Sequence, residues 1–285
     1  DFYSKRLNQV VDLHSIGNNT SRQNAKNRWN NGNVHIVGSS KTGKTKPSNT
    51  NDDRVIINVN KTIRSAKGTQ THCALRTGNW DSGTILEIEI GTSGKLYGSG
   101  GNGGRGGSAN ETAGTDGQTG SSALGIQYPC TINNLGVIQS GYGGGGGGGG
   151  NTRTTGGGKK SGATTNGSSG GGGGGGAGLP AGNAGGVQTP LAVGGGSAGS
   201  AGQSGSLSGQ ANGGAGGSEA GNGGNSGAVN NSSSKASNGT SPSGAAAGGT
   251  GGNNGYAIIT NQSSNPTISG GGLVRGRKIT STNPT

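Results

Sequence analysis

Glycine at every third position, sustained over long stretches, limits what this chain can fold into more than any other feature. Gly98, Gly101, Gly104 and Gly107 share one register of three, and the period returns in Gly114, Gly117 and Gly120. It returns again in Gly196, Gly199, Gly202 and Gly205 and in Gly221, Gly224 and Gly227, while unbroken runs fill 143–150 and 170–176. With 72 glycines in 285 residues, 24% hydrophobic residues, one Phe and no Met, the large apolar core of an ordinary domain of this length is excluded. Glycine also loses the most backbone freedom on folding. The glycine stretches must either stay disordered or bond their backbone N–H and C=O groups to one another.

Three residues per turn is the period of a polyproline-II-type helix, which rises about 3.1 Å per residue. A glycine at every third place leaves one face bare, so a neighbouring helix can approach and exchange backbone hydrogen bonds. Collagen shares the period but is strict and proline-rich; here the repeat is broken and Pro numbers only 7. The runs alternate with stretches that drop the pattern, at 108–113, 151–155, 159–169, 179–193 and 228–238. A flexible linker has no reason to alternate in this way. The expected fold is irregular and mostly β. It comprises short strands over 1–96, a bundle of packed polyglycine-II helices over 97–255, and a C-terminal strand or cap over 256–285.

Outside the glycine stretches, Leu7, Val10, Val11 and Ile16 lie near helical spacing and predict a helix over 2–15. VHIV at 34–37, RVIINV at 54–59 and TILEIEI at 84–90 predict strands, the last half-buried. A second repeat has the form I-x3-G-x-[LI]-x-G. It occurs at Ile90–Gly98 and, with Val in the apolar slot, at Ile268–Gly276; Ile132–Ile138 fits most of it. These units predict strand–turn–strand elements carrying much of the little apolar packing available.

Net charge is +12, of which +9 falls in residues 1–80 and +2 in 97–255. A basic front fits nucleic acid, phosphorylated glycans, an acidic protein partner or a merely solvated surface. Cys73 and Cys130 are too few for a disulfide framework, and their spacing does not say whether they pair. No apolar run of 18 residues predicts a transmembrane helix, and the start at Asp1 is what a fragment or processed product shows.

Gly38–Thr45 matches the phosphate-loop pattern G-x4-G-K-[ST]. The adjoining residues 46–53, KPSNTNDD, have no apolar residue to seat the helix that such a loop needs. His14, His35 and His72 lack metal-ligand spacing, and Glu87 and Glu89 read as one solvated strand face. Arg105 stands alone in an RGG-like element, without the repeated arginines and aromatics of RNA-binding tails. No enzyme activity, cofactor, metal or nucleic-acid partner is expected.

TILEIEI…GKLYGSGGNGGRGG, TINNLGVIQSGYGGGGGGGG and the alternation of glycine runs with Ser/Asn/Thr-rich connectors resemble the glycine-rich adhesins of T-even-type phage tail fibres. The resemblance runs over about 84–279 and leaves 1–83 outside it. It implies packed polyglycine-II helices whose loops gather at the distal end of the fibre. The implied receptor is a bacterial outer-membrane protein or lipopolysaccharide. Residues 1–96 would form a small attachment region, associating with other tail-fibre proteins or with itself as a trimer. The candidate receptor contacts are Tyr142, Asn151, Thr152, Arg153, Lys159, Lys160 and Lys235. A glycine-rich structural or ice-binding protein is the alternative, but it would carry short, regular connectors; a phosphate-loop nucleotide binder is the second.

Circular dichroism of the intact chain should show a polyproline-II-like contribution lost in one cooperative melt. A non-cooperative, random-coil trace would rule out an ordered glycine region.

Overall fold

Val10 and Val11 lie in a strand, β1 (Asn8–Asp12), and not in the helix expected over 2–15. β-Branched side chains are stiff at χ1 and pack well on a pleated surface, and β1 pairs in parallel with β5 (Arg54–Val59). The computed structural model describes residues 8–12, 20–21, 23–26, 35–36, 54–109, 112–155, 164–189, 192–193, 246–263 and 265–285. These residues are mostly strand and irregular backbone. The phosphate-loop match at 38–45 and His14 lie outside them.

The strands wind as a three-faced parallel solenoid. Its first turn is β1, β2 (Thr20–Ser21) and β3 (Gln23–Asn24); β4 (His35–Ile36) pairs antiparallel beyond β1. The second is β5, β6 (Thr62–Arg64) and β7 (Cys73–Arg76), and the third β8 (Ile85–Ile90), β9 (Lys95–Tyr97) and β10 (Ser122–Ile126). Three further strands, β13 (Asn151–Thr155), β14 (Thr164–Ser168) and β15 (Ala192–Val193), form a separate antiparallel sheet. The fourth turn is therefore β11 (Cys130–Asn134), β12 (Val137–Gln139) and β16 (Tyr256–Thr260), and the fifth β17 (Thr267–Ser269), β18 (Leu273–Arg275) and β19 (Arg277–Ile279). Each strand stacks on its counterpart in the next turn, with a register shift between Tyr256 and Ile258 where β16 meets β19.

Period-two alternation decides which side chains enter the solenoid. Ile57, Ile88, Ile132 and Ile268 form one stack across the first face, and Ile63, Leu96, Ile138 and Val274 another across the second. Leu75, Leu124 and Ile258 line the third. Each fully buried side chain of this size contributes about 1.5–3 kcal/mol. On the outside of the first face, Glu87 accepts a bidentate ion pair from Arg54 at 2.6 and 2.9 Å. The I-x3-G repeat marks the corner between the first two faces: Gly94, Gly136 and Gly272 stack there, and the Val137 and Leu273 amides donate to the Gly94 and Gly136 carbonyls. The repeat's isoleucines do not all align. Ile132 pairs with Ile268, whereas Ile90 pairs with Asn134, because the corner after β8 is two residues longer. Cys73 and Cys130 are both free thiols, and burial pushes Cys130 up to about 12.

Two of the five turns are interrupted. The chain leaves between β9 and β10 and again between β12 and β16, and both excursions are glycine-rich. Among the described residues they supply six extended segments: I (98–107), II (112–121), III (141–150), IV (170–178), V (182–188) and VI (246–255); the periodic glycines at 196–205 and 221–227 lie outside those residues. The stretch expected as one glycine unit, 97–255, thus also contains β10, β11 and β12 of the solenoid.

The segments exchange backbone hydrogen bonds at intervals of three. Gly101, Gly104 and Gly107 donate to Tyr142, Gly145 and Gly148, which in turn donate to Ala177, Gly174 and Gly171. Gly144, Gly147 and Gly150 donate to Gln118, Thr115 and Thr112, and Gly255, Gly252 and Gly249 to Gly141, Gly144 and Gly147. Tracing every such pairing gives two layers, VI–III–IV over II–I–V, with I and III at the centre. Every residue of segment III is buried.

At Gly101 and Gly104, whose amides donate, there is no room for a side chain. A Cβ on Gly101 or Gly104 would come closer than 3.0 Å to the Gln118 or Thr115 carbonyl oxygen, which real Cβ atoms essentially never do. Gly186 is different, since a Cβ there would meet nothing within 4 Å. Asn102, in the same segment, is engaged through its side chain: its Oδ1 accepts from the Lys67 ammonium at 2.7 Å and the Asn183 amide at 2.9 Å.

Gly101→Ala and Gly104→Ala should each destabilise the chain by at least about 1–3 kcal/mol, the usual cost of overpacking. Gly186→Ala should lie between neutral and about 1 kcal/mol stabilising. Denaturant melts of the three variants check this, and equal tolerance at all three sites would remove the register's meaning.

Candidate recognition surface

Segments I, III and V run away from the solenoid, and II, IV and VI run back. I follows β9, III follows β12, II enters β10 and VI enters β16, so these four ends are fixed at the solenoid. The IV–V turn is also on that side, because the Leu179 amide donates to the Gly98 carbonyl and the Gly100 amide to the Pro180 carbonyl. The other three connections, I to II, III to IV and V to VI, therefore begin and end at the end of the bundle remote from the solenoid.

The III-to-IV connection begins as a hairpin. β13 and β14 pair antiparallel from Asn151 opposite Ser168 to Thr155 opposite Thr164, and β15 adds to β14 through Ala192 and Val193. Segment I ends in a tighter turn, where the Thr112 hydroxyl donates to Ser108 Oγ at 2.9 Å.

Of the residues read as receptor contacts, Asn151, Thr152 and Arg153 lie on β13, with Thr152 opposite Gly167 and Arg153 opposite Asn166. Lys159, Lys160 and Lys235 lie outside the described residues. Lys159 and Lys160 belong to the chain joining β13 to β14, and Lys235 to the chain joining β15 to segment VI. Tyr142 is corrected: it is 2% exposed, packs with Ala177 inside the bundle and cannot meet a receptor there. Burial pushes its phenol up, opposed by the neighbouring Ser140 hydroxyl and the charge of Arg275. The connector read over 179–193 also divides: 179–181 sit at the solenoid end, 182–188 are segment V, and only the rest continues at the remote end.

β14 is absent from the elements expected from sequence. Its signal is legible, since NTRTT and TTNGS are Thr-rich runs of strand length separated by a short glycine- and lysine-containing stretch.

A polar groove of about 590 Å³ runs along the outer side of the II–I–V layer, with Asn102 and Arg105 on its floor and Thr115, Asp116, Gln118 and Asn183 on its walls. Most of these groups are already engaged. The Arg105 amide donates to Thr115 Oγ1 at 2.7 Å, and the Thr250 amide to Asp116 Oδ1 at 2.7 Å. The RGG-like arginine is thus one exposed side chain on a glycine wall. No group of three or more His, Cys, Asp or Glu among the described residues could hold a metal ion. No helix among them is long and apolar enough to cross a membrane.

Residues 19–279 match the family model described as phage tail fibre adhesin Gp38. The chain belongs to that family. The match starts well before residue 84, so it takes in most of the solenoid as well as the glycine bundle. Membership makes the chain a viral tail-fibre protein of host attachment, associated with the virion outside the host cell. No curated protein and no solved structure matches it at a significant level.

In this adhesin Tyr142 acts as packing. Tyr142→Ala should cost about 3–5 kcal/mol, as large-to-small core changes do. Tyr142→Phe should leave stability within about 1 kcal/mol, because the buried hydroxyl meets only the neighbouring Ser140 hydroxyl. Calorimetry of both variants checks this, and an equal loss in the two would mean that the hydroxyl, not the ring, holds the site.

Proposed function

We propose that this adhesin recognises a bacterial surface receptor, an outer-membrane protein or lipopolysaccharide, through the connections at the remote end of its glycine bundle. The out-and-back course of the six segments carries the reading. It sends three connections to one end, and the glycine faces between them can do little but pack. The connections also hold the cations Arg153, Lys159, Lys160 and Lys235 against Glu111 and Glu219, a balance that suits an anionic cell surface.

In this reading the segments are polyglycine-II helices, a proposal supported by the interval of three in their hydrogen bonds and by the absence of Cβ atoms where they meet. The solenoid is the attachment part, joined to other fibre proteins or self-associated as a trimer, and the remote end is the distal tip. The protein acts by binding and not by catalysis. The ice-binding alternative calls for a flat face with short, regular connectors. The connections at the remote end differ widely in length, which favours recognition.

Exchanging 151–169 and 189–245 for a related adhesin's connections, with 179–188 left in place, should switch host choice in adsorption assays while the melting temperature stays nearly unchanged. Ala at Arg153, Lys159 and Lys160 together should slow adsorption on the order of tenfold at low salt and flatten its salt dependence. If host choice instead follows residues 1–96, the assignment of recognition to the remote end is wrong.

A further inference from the structure

Buried side-chain donors without acceptors gather where the second face of the solenoid passes into segment III. Gln139 Nε2 and Arg277 Nε have no hydrogen-bond partner, and the Ser140 and Tyr142 hydroxyls have none beyond their contact with each other. Gln139, Ser140 and Tyr142 are each at most 2% exposed. An under-satisfied buried polar group is costly, and several along one short stretch of the fold call for a further partner.

These atoms converge through the local fold. Gln139 lies beside Arg275 in the ladder between β12 and β18, and the Ser140 amide donates to the Arg275 carbonyl at 2.9 Å. Gly276 comes next with φ 113°, a left-handed corner that turns β18 directly into β19. The Ser140 hydroxyl is so close to this corner that a Cβ on Gly276 could not be accommodated. Ser140 therefore sits against the corner residue that separates Arg275 from Arg277. The Arg277 guanidinium is held 4.8 Å above the Tyr256 ring. Arg275 acts electrostatically on the phenols of both Tyr97 and Tyr142, so its charge lies near them. Among the described residues neither Arg275 nor Arg277 pairs with a carboxylate.

An amide N–H, two hydroxyls and two guanidiniums, with no acid among them, are complementary to negative oxygen. Hydroxyls and an amide alone would be content with water. The arginines change the preference, since their planar forks match carboxylate and phosphate oxygens and guanidinium is weakly hydrated. We propose that Arg275 and Arg277, with Gln139, Ser140 and Tyr142, form an oxyanion-binding site at the root of the glycine bundle, taking a phosphoryl or carboxylate group. The site is independent of the remote end and of the receptor reading.

The test is thermal unfolding of the full chain against inorganic phosphate and, separately, acetate, each compared with sodium chloride at matched ionic strength. A saturable rise in melting temperature is expected with at least one. The anion that produces it tells a phosphoryl from a carboxylate ligand. Arg275→Gln with Arg277→Gln should abolish the saturable rise, and Lys95→Gln, an exposed charge elsewhere on the second face, should keep it. Tyr142→Phe and Ser140→Ala leave the charge intact and should each weaken the apparent affinity several-fold, a readout that survives if the double arginine variant does not fold. The proposal is overturned if neither anion exceeds chloride, if the rise persists in a folded double arginine variant, or if both hydroxyl variants bind as tightly as the parent.

Discussion

The close approach of glycine backbones is the contact on which the rest of this molecule depends. A hydrogen bond between two peptide groups is worth only about 1 kcal/mol net in water. Ordering a glycine costs more backbone entropy than ordering any other residue. Six glycine segments with almost no apolar burial would therefore gain little by associating on their own. What changes the balance is density, since bonds recur at intervals of three towards several neighbours, and segment III is served from I, II, IV and VI at once. That is possible only because no Cβ intervenes, so one methyl group in the wrong place removes several bonds together.

The solenoid supplies the alignment that glycine cannot specify for itself. A polyglycine face has no side chains to fix which residue stands opposite which. Lys95, Leu96 and Tyr97 pair with residues 42 positions further on, Val137, Ile138 and Gln139. Gly98, Gly101, Gly104 and Gly107 then donate to carbonyls 41 positions on, those of Gln139, Tyr142, Gly145 and Gly148, which is the same parallel register continued. The pairing of β10 with β16 passes in the same way into that of segments II and VI, where Gly114, Gly117 and Gly120 donate to Ala247, Thr250 and Asn253. Stacked isoleucines in the solenoid thus fix the phase of a bundle that holds none of them. The shared register also explains why both excursions leave from neighbouring turns.

How much of this is legible in the sequence depends on where side chains carry information. Alternation in RVIINV and TILEIEI locates β5 and β8, and the glycine period locates segments I and II with their spacing. Val10 and Val11 fit both a helical and a strand period over so short a run, and only pairing with β5 decides between them. The solenoid itself is hidden because its third and fourth turns are split by long insertions, so strands that stack in space lie far apart in sequence. Segment V reads as a connector although Gly182 and Gly185 keep the interval of three, because bulky residues flank them on both sides. Tyr142 reads as an exposed ring beside glycine, and its burial within the bundle is not predictable until the layers are known. The residues at the root of the bundle give no signal, since Gln139 and Arg275 become neighbours only through the ladder.

The same physics separates what can vary from what cannot. Within a segment, inserting one residue would carry every later glycine off its bonded face and set side chains against carbonyl oxygens, so length is fixed by the neighbours. In a connection, doubling the length costs only about 0.6 kcal/mol of closure entropy. Out-and-back segments place three such connections together at the remote end, each rooted at both ends in the bundle. A scaffold that tolerates almost no change thereby presents a surface that tolerates a great deal. On the proposed recognition by the connections, turnover of binding specificity requires no adjustment in the stacked core of the solenoid.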